Sequence, residues 1–260
     1  MMIETEIKKM NYEDFEPLFG SWAQRFRPFI ESEDFYNIYQ RVKTDAERER
    51  VFPSFENVFK VFQLTKFEDI KVVIYLGDPY PRVYKDGTPQ ATGIPMSCDN
   101  TPDGHLQPSL ENFYSAMGKE LQCSIRRSKS LDYLLEQGVL LMNSDLTVKK
   151  NKTGSHEGVW LPFQKYFLEQ IMYGTTGIVY VLLGDASRAI EGFINPLGNY
   201  ILGGKKNKID HPAAVAYGPS GAEWDSKGIF KKINKILKDN NKDEVFWNKD
   251  LWESIKELPF

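Results

Sequence analysis

Three short apolar runs stand out along the chain. Lys71-Val-Val-Ile-Tyr-Leu76, Gly138-Val-Leu-Leu-Met142 and Gly177-Ile-Val-Tyr-Val-Leu-Leu183 are rich in β-branched and aliphatic residues and show no polar alternation. Each predicts a strand buried on both faces. The first stops at Gly77-Asp78-Pro79-Tyr80-Pro81, where two prolines cannot continue a ladder; the second stops at Asn143 and the third at Gly184-Asp185. Around these runs the apolar residues recur at helical spacing. Glu33 to Arg50 predicts a helix with Phe35, Ile38, Tyr39 and Val42 on one face. Ser54 is expected to cap a second helix that buries Val58, Phe59 and Phe62. After a polar loop from Arg82 to Gln107, Ser109 is expected to cap a helix with Leu110, Phe113, Tyr114 and Met117 on one face. Further helices are predicted over Gly158 to Tyr173, just after Gly184, and over the Lys-rich stretch Ser226 to Asp239.

Buried strands alternating with helices predict an α/β fold with a parallel sheet covered on both faces. In such sheets ligands bind beyond the carboxyl ends of the strands. Asp78, Asn143, Gly184 and, after Ile209, His211 all fall where a strand stops. Taken singly each is ordinary, since Asp-Pro-Tyr makes turns, Asn caps and His-Pro forms loops. Together they outline one site assembled from several loops.

The totals narrow this picture only slightly. The chain has 260 residues, 41% of them hydrophobic, which suffices for one large domain spanning 1–260, with residues 1–20 expected as a flexible N-terminal segment. A formal net charge of −3 argues mildly against a nucleic-acid binder but leaves room for a local basic face, for which the lysines between 205 and 242 are candidates. The null alternative for those lysines is a solvated helix surface. The two cysteines, Cys98 and Cys123, lie in no ligand spacing, so neither a disulfide framework nor a metal site is expected. No signal or transit peptide and no apolar run of spanning length is visible, which makes a soluble, cytoplasmic protein the expectation, or one of the host cytoplasm or nucleus if the source is viral.

A set of motifs in fixed order carries more information. Val72-Val-Ile-Tyr-Leu-Gly-Asp-Pro-Tyr80 resembles the water-activating loop of family-1 uracil-DNA glycosylases, usually GQDPY. Gly93-Ile-Pro-Met-Ser97 is similar to that family's uracil-stacking segment, and Gln107-Pro-Ser-Leu-Glu-Asn-Phe-Tyr114 to its proline-rich loop and following helix. Gly138 to Asn143, with Leu146-Thr-Val148 and Ser155-His156 beyond it, resembles the uracil-reading strand and its sequel. Leu183-Gly184 resembles the Gly-Ser loop, and His211-Pro-Ala-Ala-Val215 the minor-groove leucine loop, usually HPSPLS. The likeness runs from about Trp22 to Trp247.

The resemblance implies a single domain with a central four-stranded parallel twisted sheet flanked by helices, acting without cofactor or metal on uracil flipped out of single- or double-stranded DNA. It implies that Asp78 positions the attacking water and favours the cationic sugar, and that a neutral His211 donates to uracil O2 as charge develops there. It further implies that Asn143 reads the O4 and N3–H edge, Tyr80 excludes a C5 methyl, Met96 stacks on the base and the Gly77 N–H serves O2. Pro108, Ser109, Gly184, Pro212, Ala213 and Val215 are the implied DNA contacts, with Val215 at the wedge position and backbone N–H groups on the phosphates. Leu76-Gly77 stands where the family has Gly-Gln, although a gapped alignment pairs Gly77 with the family glycine. Met96 replaces a Phe and Asp185 replaces a loop Ser; Pro81 in place of a His, together with Lys85-Asp-Gly87 and the His211-Pro-Ala-Ala run, looks like the poxvirus branch of the family. Two other readings stay open: a non-catalytic platform that binds DNA or a polymerase, and a glycosylase for a modified pyrimidine. A monomer, a polymerase partner and a DNA-mimicking protein inhibitor are further expectations from the resemblance.

Overall fold

The computed structural model describes residues 10–217 and 222–257. Six strands form in chain order: β1 (Val51–Phe52), β2 (Val72–Leu76), β3 (Val139–Asn143), β4 (Val148–Lys149), β5 (Val179–Leu182) and β6 (Tyr200–Leu202). The central sheet has four strands in the order β3-β2-β5-β6, every pair parallel. The expected parallel sheet is therefore present, and β2, β3 and β5 are its three apolar runs. Every residue of these three strands is buried, because helices cover both faces. The fourth strand, β6, was not visible in the hydrophobic pattern. It has three residues with mixed exposure, and its pairing with β5 makes it a strand. β1 and β4 form a separate antiparallel ribbon.

The helices follow the expected periodicity, with shifted ends. The first long helix is Glu33–Arg48, and Ser32 accepts the Phe35 N–H as its N-cap. Ser54 does not cap a helix: a short 3-10 turn, Phe55–Asn57, follows it, and the helix proper is Lys60–Leu64. The Ser54 hydroxyl instead accepts from the Asn57 side chain. The helix expected at Ser109 is Pro108–Leu121, so Gln107 is its N-cap and Pro108 takes the first turn, where a missing N–H costs nothing. Glycines with positive φ set two later starts. Gly158 (φ 77) precedes the Leu161–Gly174 helix, and Gly228 (φ 74) caps Ile229–Asp239. A C-terminal helix, Lys249–Lys256, was not predicted; it has no buried residue to mark it.

Aromatic packing fills one side of the sheet. Trp22, Phe26, Phe62, Phe163 and Phe167 are fully buried and meet at ring distances of 5.2–6.4 Å. The Trp22 indole N–H reaches the Thr65 carbonyl at 2.7 Å. Tyr12, Phe15 and Phe19 are buried too, so the expected flexible N-terminal segment is packed from Tyr12 onward, while residues 1–9 lie outside the described residues. On the other side, Phe113 of Pro108–Leu121 packs on Phe230 of Ile229–Asp239 at 5.1 Å.

The sheet begins at a glycine that cannot be replaced. Gly138 has φ 78, and its carbonyl accepts the N–H groups of Lys71 and Val72 at 2.9 and 3.2 Å, which starts β2 beside β3. A Cβ at this position would run into the Asp69 carbonyl. Gly138→Ala is expected to destabilise the fold by about 3 kcal/mol or more, combining left-handed backbone strain with a backbone clash. Denaturant unfolding measures this, and a loss under about 1 kcal/mol would contradict it.

Candidate active site

The ladder between β2 and β3 pairs Leu76 with Asn143, so both chains leave the sheet at the same level. Ser144 ties the two exits together: its N–H is shared between the Leu76 and Gly77 carbonyls at 3.1 and 3.0 Å, and its hydroxyl donates to Leu76 at 2.8 Å. A pocket opens just beyond this point, and Asp78, Tyr80, Met96, Ser109, Asn143 and His211 all line it. Five residues expected around a base, namely Asp78, Tyr80, Met96, Asn143 and His211, are thus brought together from four separate stretches of chain. Gly77 sits at the β2 exit beside Asp78 and does not line the pocket.

Asp78 accepts a hydrogen bond from the Gly154 N–H on its Oδ2. Burial raises its pKa above the ordinary carboxylate value; the Gly154 N–H pulls it back, and the charge of Glu157 adds to the rise. The turn that carries Gly154 is braced from behind. His156 Nδ1 lies 2.6 Å from the Thr147 hydroxyl, and the Trp160 indole donates to the same hydroxyl at 2.8 Å. Beneath His156, Asp45 takes Lys149 at 2.7 Å and Arg41 at 2.8 Å. Burial works against the Asp45 charge, but those two hydrogen bonds outweigh it and hold the pKa at about 2.

Of this brace the sequence motifs contained Thr147 and His156 but did not point to Asp45 or Trp160, nor to Asp145. Asp145 is buried; desolvation and then the charge of Asp78 push its pKa up to about 7, against the pull of the Trp160 and Gly158 N–H groups. The available sign was a carboxylate inside Asn143-Ser-Asp-Leu146, between a buried strand and a buried Leu.

The His211 ring has a defined tautomer. The Ala213 N–H donates to Nδ1 at 3.1 Å, so Nδ1 is an acceptor and the ring proton sits on Nε2. Desolvation drives the pKa down to about 4, which keeps the ring neutral at neutral pH. Asn143 is buried, and among the described residues its side-chain amide has no hydrogen-bond partner in the protein, which leaves both ends of the amide for a ligand. Its backbone carbonyl is held by Gln164 at 2.9 Å, and Gln164 in turn by Tyr75 at 3.1 Å. Burial raises the Tyr80 pKa, and its hydroxyl donates to the Met96 carbonyl at 2.9 Å.

The surrounding loops differ from expectation in how they use their backbone. Ser109 is buried and its hydroxyl faces Tyr80 at 2.5 Å, while Pro108 beside it is exposed. The Gly184 N–H is committed to the Ile209 carbonyl at 3.0 Å, so it is not free to grip an anion. Gly184 is needed for another reason: it has φ 87, and a Cβ there would sit 3.0 Å from the His211 Cβ. The N–H groups of Ala213 and Ala214 are likewise turned inward, onto His211 Nδ1 and the His211 carbonyl. Pro212 is buried and its carbonyl accepts from Asn112 at 2.8 Å, while Val215 is half-buried against the core. The charge of Asp185 is compensated, since Arg188 donates to it at 3.2 Å and Lys208 lies at 3.7 Å.

Among the described residues no group of three His, Cys, Asp or Glu side chains is placed to hold a metal ion, and no helix is long and apolar enough to cross a membrane. Sheet and pocket together define an α/β protein with a candidate active site at the carboxyl edge of a parallel sheet. No protein-family model matches the chain. Curated relatives do. Uracil-DNA glycosylase 1 of Listeria innocua is 33% identical over 230 residues, covering 88% of this chain and 97% of the relative. The uracil-DNA glycosylase of Bacillus cytotoxicus is 29% identical over 242 residues, covering 93% and 98%. Among solved structures, mimivirus uracil-DNA glycosylase superposes with a TM-score of 0.77 at 25% identity, covering 92% of this chain and 90% of that one. A variant of the mimivirus enzyme solved in complex with UGI matches with the same TM-score of 0.77. The chain belongs to the uracil-DNA glycosylase family.

The His211 environment makes a direct prediction. A histidine held below its ordinary value of 6.5 contributes stability that is complete above that pH and is lost as pH falls toward about 4. NMR of the imidazole nitrogens should show His211 neutral, with its proton on Nε2, from pH 8 down to 5. A titration midpoint near 6.5 would contradict the assignment.

Proposed function

We propose that this chain flips uracil out of DNA and hydrolyses its N-glycosidic bond, leaving an abasic site as in base excision repair. The observation that carries the reading is the Ala213 N–H on His211 Nδ1, which leaves Nε2–H as a neutral donor facing the pocket. Bond cleavage puts negative charge on the departing base and positive charge on the sugar. A neutral donor stabilises the first without giving its proton away, and a carboxylate stabilises the second. His211 takes the O2 side. Asp78, oriented by Gly154, holds the attacking water and faces the cation. The unpartnered Asn143 amide offers a donor to O4 and an acceptor to N3–H. Cytosine presents the opposite pattern and would leave buried groups unpaired, a loss of roughly 1–3 kcal/mol or more. Tyr80 stands against C5, and Met96 packs on the ring face.

The inward-turned N–H groups of residues 184, 213 and 214 shift phosphate recognition elsewhere. We infer that Lys205, Lys206 and Lys208, all exposed in the loop that leaves the carboxyl end of β6, supply it, together with the exposed start of the Pro108–Leu121 helix. Val215 takes the wedge position behind the flipped base. We further propose a single-domain monomer that is open to an inhibitor of the kind bound to the mimivirus variant.

A uracil-excision assay tests the reading. Folded protein should convert uracil-containing oligonucleotides to abasic product, and Asp78→Asn should lower kcat by about 10²-fold or more while leaving DNA affinity nearly unchanged. Full activity in Asp78→Asn would refute its role. Replacing Lys205, Lys206 and Lys208 together by Ala should weaken DNA binding and flatten its log–log salt dependence by up to about 3, one per lost phosphate contact. An unaltered slope would place the phosphates on another surface.

A further inference from the structure

Tyr80 projects from the loop after β2, where no regular element holds its ring. Its position is set from two other stretches of chain. The phenol donates its one proton to the Met96 carbonyl at 2.9 Å, so the contact of 2.5 Å with Ser109 Oγ is one in which Ser109 donates. Both anchors are rigid. Met96 adopts φ 61, a conformation that side-chain-bearing residues rarely take. The segment before it is pinned by Gly93, where a Cβ would strike the Asn57 carbonyl. Ser97 closes the segment, with its N–H on Ile94 at 3.1 Å and its hydroxyl accepting the Leu131 N–H at 3.0 Å. Ser109 is 2% exposed in the first turn of Pro108–Leu121. That helix is itself tied to the His211 loop through Asn112 and the Pro212 carbonyl at 2.8 Å.

We infer that Ser109 is a specificity-determining positioning residue: its hydroxyl fixes the phenol of Tyr80 and thereby sets how large a C5 substituent the pocket admits. The inference rests on the uracil-excision reading of the site. An apolar wall rejects one extra methyl group only weakly unless the wall is stiff. A ring tethered at its far end by two hydrogen bonds from different segments cannot swing aside. With Ser109 removed, it pivots on the Met96 carbonyl alone.

The test compares kcat/KM for oligonucleotides carrying uracil, 5-fluorouracil and 5-bromouracil, taken as ratios to uracil so that any common loss cancels. In Ser109→Ala the bromo-to-uracil ratio should rise about five- to tenfold over wild type, the worth of one buried hydrogen bond, while the ratio for the small fluoro group stays put. Tyr80→Phe, which removes both tethers, should raise the bromo ratio at least as far. Adding Ser109→Ala to Tyr80→Phe should then change little. Wild-type ratios in both single variants, or fully additive effects in the double variant, would overturn the inference. If Ser109→Ala does not fold, Tyr80→Phe decides alone: an unchanged bromo ratio there overturns the tether. Should the wild-type chain release no uracil at all, the reading of the site fails, which is a different outcome from uracil release with unaltered size selectivity.

Discussion

The parallel ladder between β2 and β3 is the constraint from which the site follows. Pairing Leu76 with Asn143 stops two strands at one height, and the Ser144 bonds lock that height. Asp78 and Asn143 then emerge side by side. A slip of one residue would turn Asn143 to the other face of the sheet. The neighbouring ladder, Tyr75 with Leu182, sets the exit of β5, so Gly184 lies against His211 with no room for a side chain. The ends of β2 and β3 thus line the pocket, and the end of β5 seats His211 against Gly184.

Burial then acts on these groups in opposite directions from a single cause. Removing water disfavours whichever form is charged, so His211 is pushed down to about 4 while Asp78 and Tyr80 are pushed up. The imidazole becomes a neutral donor. The phenol stays a phenol, able both to donate to Met96 and to accept from Ser109. At Asp78 the Gly154 N–H opposes part of that rise. The brace of Thr147, His156, Trp160 and Asp45 stands behind that one N–H, which explains a buried polar cluster away from the pocket lining.

The rim answers to a different requirement. Its loops satisfy their own backbone groups, so His211 to Ala214 is a preformed turn and not a set of free donors waiting for phosphate. Preformed loops lose little freedom when DNA arrives. Charge at the rim is local. Asp185 is compensated by Arg188 and Lys208, and the exposed lysines of the 205–208 loop coexist with a net charge of −3.

Much of this was legible in the chain itself. Three uninterrupted apolar runs determined the buried strands of a parallel sheet, and the residues that end them, Asp78, Asn143 and Gly184, marked the site, because strand period and turn chemistry are local properties. The ordered motifs pointed to the family. Tertiary structure decided what depends on partners far apart in sequence. β6 is a strand only because β5 pairs with it, and Asp145 is perturbed because the fold buries it and brings Asp78 near. The Ser109 hydroxyl meets Tyr80, and the Gly184 and Ala213 N–H groups point inward, since a hydrogen bond belongs to two residues and a sequence names only one at a time. The tautomer of His211 is the sharpest case: the residue was readable, but the proton on Nε2 follows from an Ala213 N–H whose direction only the folded loop specifies.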